Sequence, residues 1–218
     1  AVLGATSPAA TRALHDALCG PEARKTYVAV TRGVGVLRGD NLFRDGTWFA
    51  VDRPIADERG VVRDATTEFL WAAAANADTP DRASLVLARP RTGRWHQIRK
   101  HLSTTLSHPI LGDTTHGCTR TNTHWRAERG LPPARIMLHL ARIELPVVEG
   151  LLPDGLDVRC PLPADFETVL RRGMFAPALF GDDPTARDFL EREAGLVLPP
   201  ALGDDSSEEG PSEEASEE

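Results

Sequence analysis

The chain has 218 residues, 41% hydrophobic and 26% charged. That is enough for one ordinary domain with a buried core plus some excess, and it excludes wholesale disorder and a disulfide-dependent miniprotein. No apolar run approaches the roughly 20 residues of a membrane-spanning helix. Three widely spaced cysteines, Cys19, Cys118 and Cys160, describe a reduced, intracellular chain better than a secreted disulfide framework. The net charge of −7 is unevenly spread, since Ala201–Glu218 holds eight acids and no base, and without it the balance is +1. Residues 1–200 are therefore expected to fold and residues 201–218 to form a disordered acidic tail.

Taken in chain order, AVLGATS reads as the end of a strand, and no charged leader with an apolar core is visible. The sequence reads as cut from a longer one. Ser7-Pro8 opens a helix through AATRALHDAL, with a hydroxyl cap and proline at the first helical position, and Gly20-Pro21 ends it. Lys25–Thr31 reads as a strand, Gly33–Gly46 as a glycine-rich loop or irregular hairpin, and Thr47–Asp52 as a strand. Arg63–Ala73 suits a strand or a helix. Ala83–Ala88 is a buried strand by composition, followed by a turn at Arg91-Thr92-Gly93 and a half-buried helix over Trp95–Thr105. Arg135–Glu144 and Leu156–Arg159 read as strands. Pro163–Arg171 and Pro184–Ala194 read as helices, the second capped by Asp183. Strands and helices mix without strict alternation, which predicts an α+β fold: a mostly antiparallel mixed sheet flanked by helices.

Chemistry concentrates in Arg89–Gly117. From Ser84 to Gly112 there is no acid, while Arg89, Arg91, Arg94, Arg99 and Lys100 give +5. A strand ending in a tight turn beside a helix start, flanked by Arg91 and Arg94, is a corner suited to a phosphate. Such a segment is where a polyanion binds, against the plainer reading of a solvated basic helix face. Tyr27, the only tyrosine, is either a packed strand aromatic or a platform for a nucleobase beside a basic groove, with Lys25 on the same strand face. The histidines invite a metal site, but His96 and His101 are five apart and no HExxH or CxxC pair is present. No metal is expected. The sequence has no nucleophile elbow, no phosphate-loop motif and no GxGxxG fingerprint, which argues against serine hydrolase, ATP and dinucleotide chemistry.

Lys25-Thr26-Tyr27-Val28-Ala29-Val30 before Arg32-Gly33, the run from Arg91 to His101 (RTGRWHQIRKH), His108–Asp113 with Gly117, and Arg135–His139 stand in this order. Together they resemble the RluA-type pseudouridine synthase family over roughly Ala1 to Arg171. The block Asp113–Gly117 with Arg120 and Asn122 is most similar to the subgroup that modifies a uridine in the T-arm stem of tRNA. The resemblance implies an isomerase that needs no cofactor. The uridine is flipped from its stack, its N-glycosidic bond is broken, and the uracil is rotated and rejoined through carbon, with an aspartate doing the covalent or acid–base work. On the matching positions Tyr27 stacks on the flipped base, Arg99 pairs with the catalytic aspartate, and Leu138 is the apolar wall of the pocket. Arg91, Arg94, His96 and Lys100 contact RNA. His108-Pro109 and Gly112-Asp113 look structural, with Asp113 capping a turn.

The family's aspartate stands in an HRLD-type block just before the strand and helix with which this chain opens, and no such block occurs in the 218 residues. The expectation is a catalytic domain without its first strands or its nucleophile, with an exposed sheet edge. The chain then acts as part of an RNA pseudouridine synthase, inactive alone. The alternative is a catalytically inactive RNA-binding relative, and a histidine-based metal hydrolase ranks third. RNA is the expected partner, tRNA before rRNA, with no membrane, an oligomeric state the sequence leaves open with a monomer favoured, and a cytoplasmic location unless a lost leader directs it to an organelle. The acidic tail is read as an RNA mimic over the basic groove.

Overall fold

The computed structural model describes residues 3–42, 46–75, 78–171, 175–180 and 185–198. Its elements in chain order begin with helix α1 (Pro8–Cys19) and strands β1 (Arg24–Arg32), β2 (Val36–Leu37), β3 (Asp40–Asn41) and β4 (Phe49–Asp52). Strands β5 (Ile55–Ala56), β6 (Val62–Arg63), β7 (Thr66–Ala75) and β8 (Ala83–Pro90) follow, then helix α2 (Gln97–Lys100), which runs directly into a π-helical turn (His101–Thr105). The remainder is α3 (Thr119–Glu128), β9 (Leu138–Leu145), β10 (Leu156–Arg159), α4 (Ala164–Arg171), α5 (Ala176–Phe180) and α6 (Thr185–Ala194).

Six strands form one sheet in the order β10-β9-β1-β8-β7-β4, antiparallel at every pairing. This is the α+β architecture that the sequence predicts. The central strands are covered on both faces, with α6 against β1 and β7 and α2 against β8. Their apolar runs are accordingly continuous: Val28–Val30, Phe69–Trp71 and Leu85–Ala88 are fully buried. TTEFLWAAAA is a strand because β4 and β8 pair with it on both sides, which outweighs the helix preference of its alanines. Ser7 Oγ accepts the Ala10 amide at 3.2 Å to start α1, with Pro8 in the first turn. That helix packs Leu14 onto Ile143 and Leu145 in a second, smaller core.

Several expectations change. The Trp95–Thr105 helix starts two residues later and is half α and half π, so Trp95 stands outside it with 42% of its surface exposed. β9 begins at Leu138. Met137 before it bonds singly, donating to the Leu111 carbonyl and accepting from Val30, both at 2.9 Å. Helices α3 and α5 and the β5–β6 hairpin are additions; TRTNTHWRAE shows little apolar periodicity and is anchored by two buried residues, Asn122 and Trp125. Leu3–Thr6 form no strand, and Ala1, Val2, the Asp183-Pro184 cap and the 201–218 tail lie outside the described residues. Among the described residues β10 covers only Arg142–Leu145 of β9, leaving the Leu138 end without an outer strand.

Arg89, counted above as part of a basic surface, is buried. It donates to Thr26 Oγ1 at 3.1 Å and to Glu193 Oε2 at 2.9 Å, and its guanidinium lies 4.1 Å over the Trp48 ring. Trp48 Nε1 donates to the same carboxylate. Arg89 therefore clamps α6 to the sheet. Removing one partner of such a pair leaves a desolvated charge behind. Glu193→Ala is expected to cost about 3 kcal/mol by urea unfolding; a loss below about 0.5 kcal/mol, the level of a surface pair, contradicts the clamp.

Candidate active site

A pocket of about 270 Å³ opens where β1, β9 and the segment after β8 meet. Its walls include Tyr27 and Lys25 from β1, Leu138 from β9, Thr92–Arg94 from the turn, and His96, Ile98 and Arg99. Five residues picked out in the sequence, Tyr27, Arg99, Leu138, Arg94 and His96, are thus brought together. Leu138 stands opposite Ala29 across the β1–β9 ladder, and a bulge between Thr26 and Tyr27 shifts the register beside the tyrosine. Burial pushes the Tyr27 hydroxyl up and the Lys25 ammonium down from their ordinary values. Lys25 Nζ donates to the Leu18 carbonyl at 2.7 Å, so its head is turned toward α1. The pocket floor therefore offers a neutral aromatic face and an apolar wall.

The turn above it is fixed by buried Gln97. Its Oε1 accepts the Thr92 hydroxyl (2.7 Å) and the Arg94 amide (3.0 Å), while Nε2 donates to the Thr66 carbonyl (2.8 Å) and Thr67 Oγ1 (2.9 Å). The Arg94 amide that could have faced a phosphate is thereby used internally. His101 completes the network. Its Nε2 donates to the Arg53 carbonyl at 2.9 Å, so its Nδ1 accepts from the Thr67 hydroxyl, also at 2.9 Å.

Arg99 is held by Asp113. Nε and Nη2 donate to the two carboxylate oxygens, both at 2.7 Å, with the aspartate almost fully buried. Asp113 Oδ1 also accepts the Thr115 and His116 amides at 2.9 and 2.8 Å. Burial pushes this carboxyl up, but the Arg99 hydrogen bonds and the two amides outweigh it, and it lies below the ordinary carboxylate range. The expected turn cap is present, and the same carboxylate serves as Arg99's partner among the described residues. Asn122 locks it from behind, accepting the Gly112 amide and donating to the Asp113 carbonyl. Gly112 has φ +79°, and any Cβ there would collide with the Arg135 carbonyl oxygen.

The third edge of Arg99, Nη1, points at His96 Nε2 at 2.7 Å, and His96 Nδ1 lies 3.1 Å from His116 Nε2. A guanidinium only donates, so His96 Nε2 is the acceptor and Nδ1 carries the proton, which it gives to His116. His96 adopts a left-handed backbone, φ 54°, and stacks on Trp95 at 3.7 Å. His116 and Asn122 were not singled out for the site from sequence. In sequence both belong to the block Asp113–Gly117 with Arg120 and Asn122, and His116 also to the histidine cluster that invites a metal. Their contacts close over long chain separations that periodicity does not register.

Arg91 and Lys100 stand outside the pocket. Arg91 pairs with Glu68 at 2.9 Å. Lys100 donates to the Ala56 carbonyl at 2.5 Å and lies 4.4 Å over the Trp95 ring. Arg94 Nε is bonded to the Asp64 carbonyl. Of the five bases in the acid-free segment, three meet carboxylates brought by other elements: Arg89, Arg91 and Arg99.

No family model matches the chain. It is 34% identical over 139 residues to tRNA pseudouridine synthase C of Salmonella typhi, covering 56% of this chain and 48% of that protein. The Pectobacterium carotovorum protein of the same name is 31% identical over 161 residues, covering 66% and 39%. Over these stretches the chain is similar in sequence to proteins named tRNA pseudouridine synthase C. It spans about half the length, or less, of these curated relatives. The solved structures of human RNA pseudouridylate synthase domain containing 4 and domain containing 1 share its fold. Their TM-scores are 0.56 and 0.53, each at 22% identity, covering 76% and 72% of this chain and 68% and 62% of theirs. No cluster of three metal-ligating side chains occurs among the described residues.

His96, His101, His108, His116 and His139 all have pKa values below the ordinary histidine range, burial being the largest cause in each. The folded state thus binds fewer protons than the unfolded chain as pH falls through about 6.5. Stability is expected to be full above about pH 7 and to fall progressively toward pH 5, with a further loss below about pH 4 as Asp113 takes up its proton. Urea midpoints at pH 7.5 and 5.5 check the first step; equal midpoints contradict it.

Proposed function

We propose that this chain contributes the base-binding pocket of an RNA pseudouridine synthase, an isomerase acting on a uridine in a tRNA stem. Tyr27 supplies the face on which the flipped uracil stacks, Leu138 walls the other side, and Arg99 presents a guanidinium fixed by Asp113 and His96. Arg94 and His96 line the mouth, and Arg91 and Lys100 flank it as backbone contacts. The observation that supports this reading is the convergence of Tyr27, Arg99 and Leu138, from three separated segments, on one pocket. The tRNA preference draws on the similarity to proteins named tRNA pseudouridine synthase C.

In the reaction the bond from the sugar to the uracil nitrogen breaks and a bond from the same sugar carbon to a ring carbon forms; that ring carbon gives up its proton and the freed nitrogen takes one up, so the composition is unchanged. The family's aspartate drives this, and no HRLD-type block stands in these 218 residues. Turnover is therefore proposed only for a protein in which an aspartate-bearing segment joins residues 1–200. Within it, Arg99 acts on that carboxylate. Because Asp113 already holds two of its donors, Arg99 is a preset charge rather than a mobile one.

Two variants separate the roles. Tyr27→Ala is expected to weaken binding of a uridine-containing stem-loop RNA about 10-fold or more, the loss of one stacked base. Arg99→Lys, which keeps a cation against Asp113 but loses the guanidinium fork, is expected to leave that affinity within about 3-fold and, in the aspartate-containing protein, to abolish pseudouridine formation. Fluorescence anisotropy and mass-spectrometric detection of pseudouridine check both. Unchanged RNA binding by Tyr27→Ala contradicts the assignment. RNA binding without turnover in the aspartate-containing protein favours the inactive RNA-binding alternative.

A further inference from the structure

A second cationic cleft lies at the other end of β1. Arg32 closes that strand, and its amide donates to the Pro109 carbonyl at 2.9 Å. With Arg82 from the turn before β8 and Arg120 from the first turn of α3, it lines an open cleft of about 890 Å³. None of the three guanidiniums forms an ion pair with a described residue, although most arginines here do. Asp78 is the one carboxylate on the cleft wall, and it pairs with none of them. Asp81 nearby is already taken by Arg129 and His124. Three arginines brought together by separate elements and left without anions repel one another unless an anion is present. Their combined field reaches the neighbouring groups: Arg32 and Arg82 both act to hold down the His108 pKa, after burial.

We infer that the Arg32–Arg82–Arg120 cleft is a phosphodiester-binding site for the flank of the RNA whose base enters the Tyr27 pocket. The inference rests on the RNA reading above. Arg32 lies five residues beyond Tyr27 on the same strand, about 17 Å at the usual strand rise, on the order of five base-pair steps of a duplex. Alternation turns the two side chains to opposite faces of the sheet, but the cleft sits at its rim, where Cys118 and Arg120 of the segment following α2 meet the strand end. Guanidinium forks suit phosphate oxygens and make contacts that carry no sequence preference.

The test is the salt dependence of RNA binding by the 218-residue chain, read with a labelled stem-loop whose stem exceeds five base pairs. The wild type is compared with Arg32→Gln/Arg82→Gln/Arg120→Gln and with the triple lysine variant. The glutamine variant is expected to lose about 2–3 from the slope of log affinity against log salt and at least about 10-fold in affinity near 0.1 M salt, and lysine to restore most of both. Arg82→Gln alone, at an exposed position, is expected to remove about 1 from the slope and to guard against misfolding of the triple variant. RNA binding with an unchanged slope in both glutamine variants overturns the cleft and leaves the Tyr27 pocket standing. No RNA binding by the wild type at low salt overturns the cleft together with the RNA reading.

Discussion

A guanidinium pinned against a nearly fully buried carboxylate organises this molecule. Arg99 and Asp113 lie fourteen residues apart, one on a short helix and the other in a turn, and neither position is tolerable alone. An unpaired buried aspartate costs several kcal/mol, and it is retained here because two guanidinium donors and two amides surround it. That requirement accounts for features that look unrelated in sequence. Gly112 must lack a side chain to let the turn reach the Arg135 carbonyl, Asn122 must bridge both flanks of the Asp113 backbone, and His96 must present a bare ring nitrogen to the remaining edge. The result is a positive charge held at a pocket wall with little freedom to move.

Much of the sheet was legible beforehand because its central strands are buried on both faces. Continuous apolar runs such as ASLVLA and KTYVAV have few alternatives, and Ser7-Pro8 marks a helix start by its own chemistry. The helix after Trp95 was only partly legible: a leucine and an isoleucine four apart fit a helix, yet the spacing says nothing of the switch to π pairing at His101. Helix α3 escaped because its anchors, Asn122 and Trp125, are too few for a periodic signal. The candidate pocket was legible through the resemblance, since the residues alone left Tyr27 as either a packed strand aromatic or a platform for a nucleobase.

Charge was the least transferable reading. A stretch without acids looks like a cationic surface when read along the chain, but folding brings Glu68, Asp113 and Glu193 to it from positions up to 104 residues away. Meanwhile Arg32, Arg82 and Arg120, which come from three separate elements, share one cleft and form no ion pair with a described carboxylate, although Asp78 stands on the same wall. The distribution of unpaired cations, rather than the local count, is what a polyanion meets.

The central claim is that the Tyr27–Arg99–Leu138 pocket receives a base from an RNA. The most direct measurement is an NMR titration of the isotope-labelled chain with a uridine-containing stem-loop RNA, followed at backbone amides and at the leucine methyls. The account predicts that the largest shifts centre on Tyr27, Gly93, Arg99 and the Leu138 methyls. Saturable RNA binding that leaves those signals unmoved would contradict it.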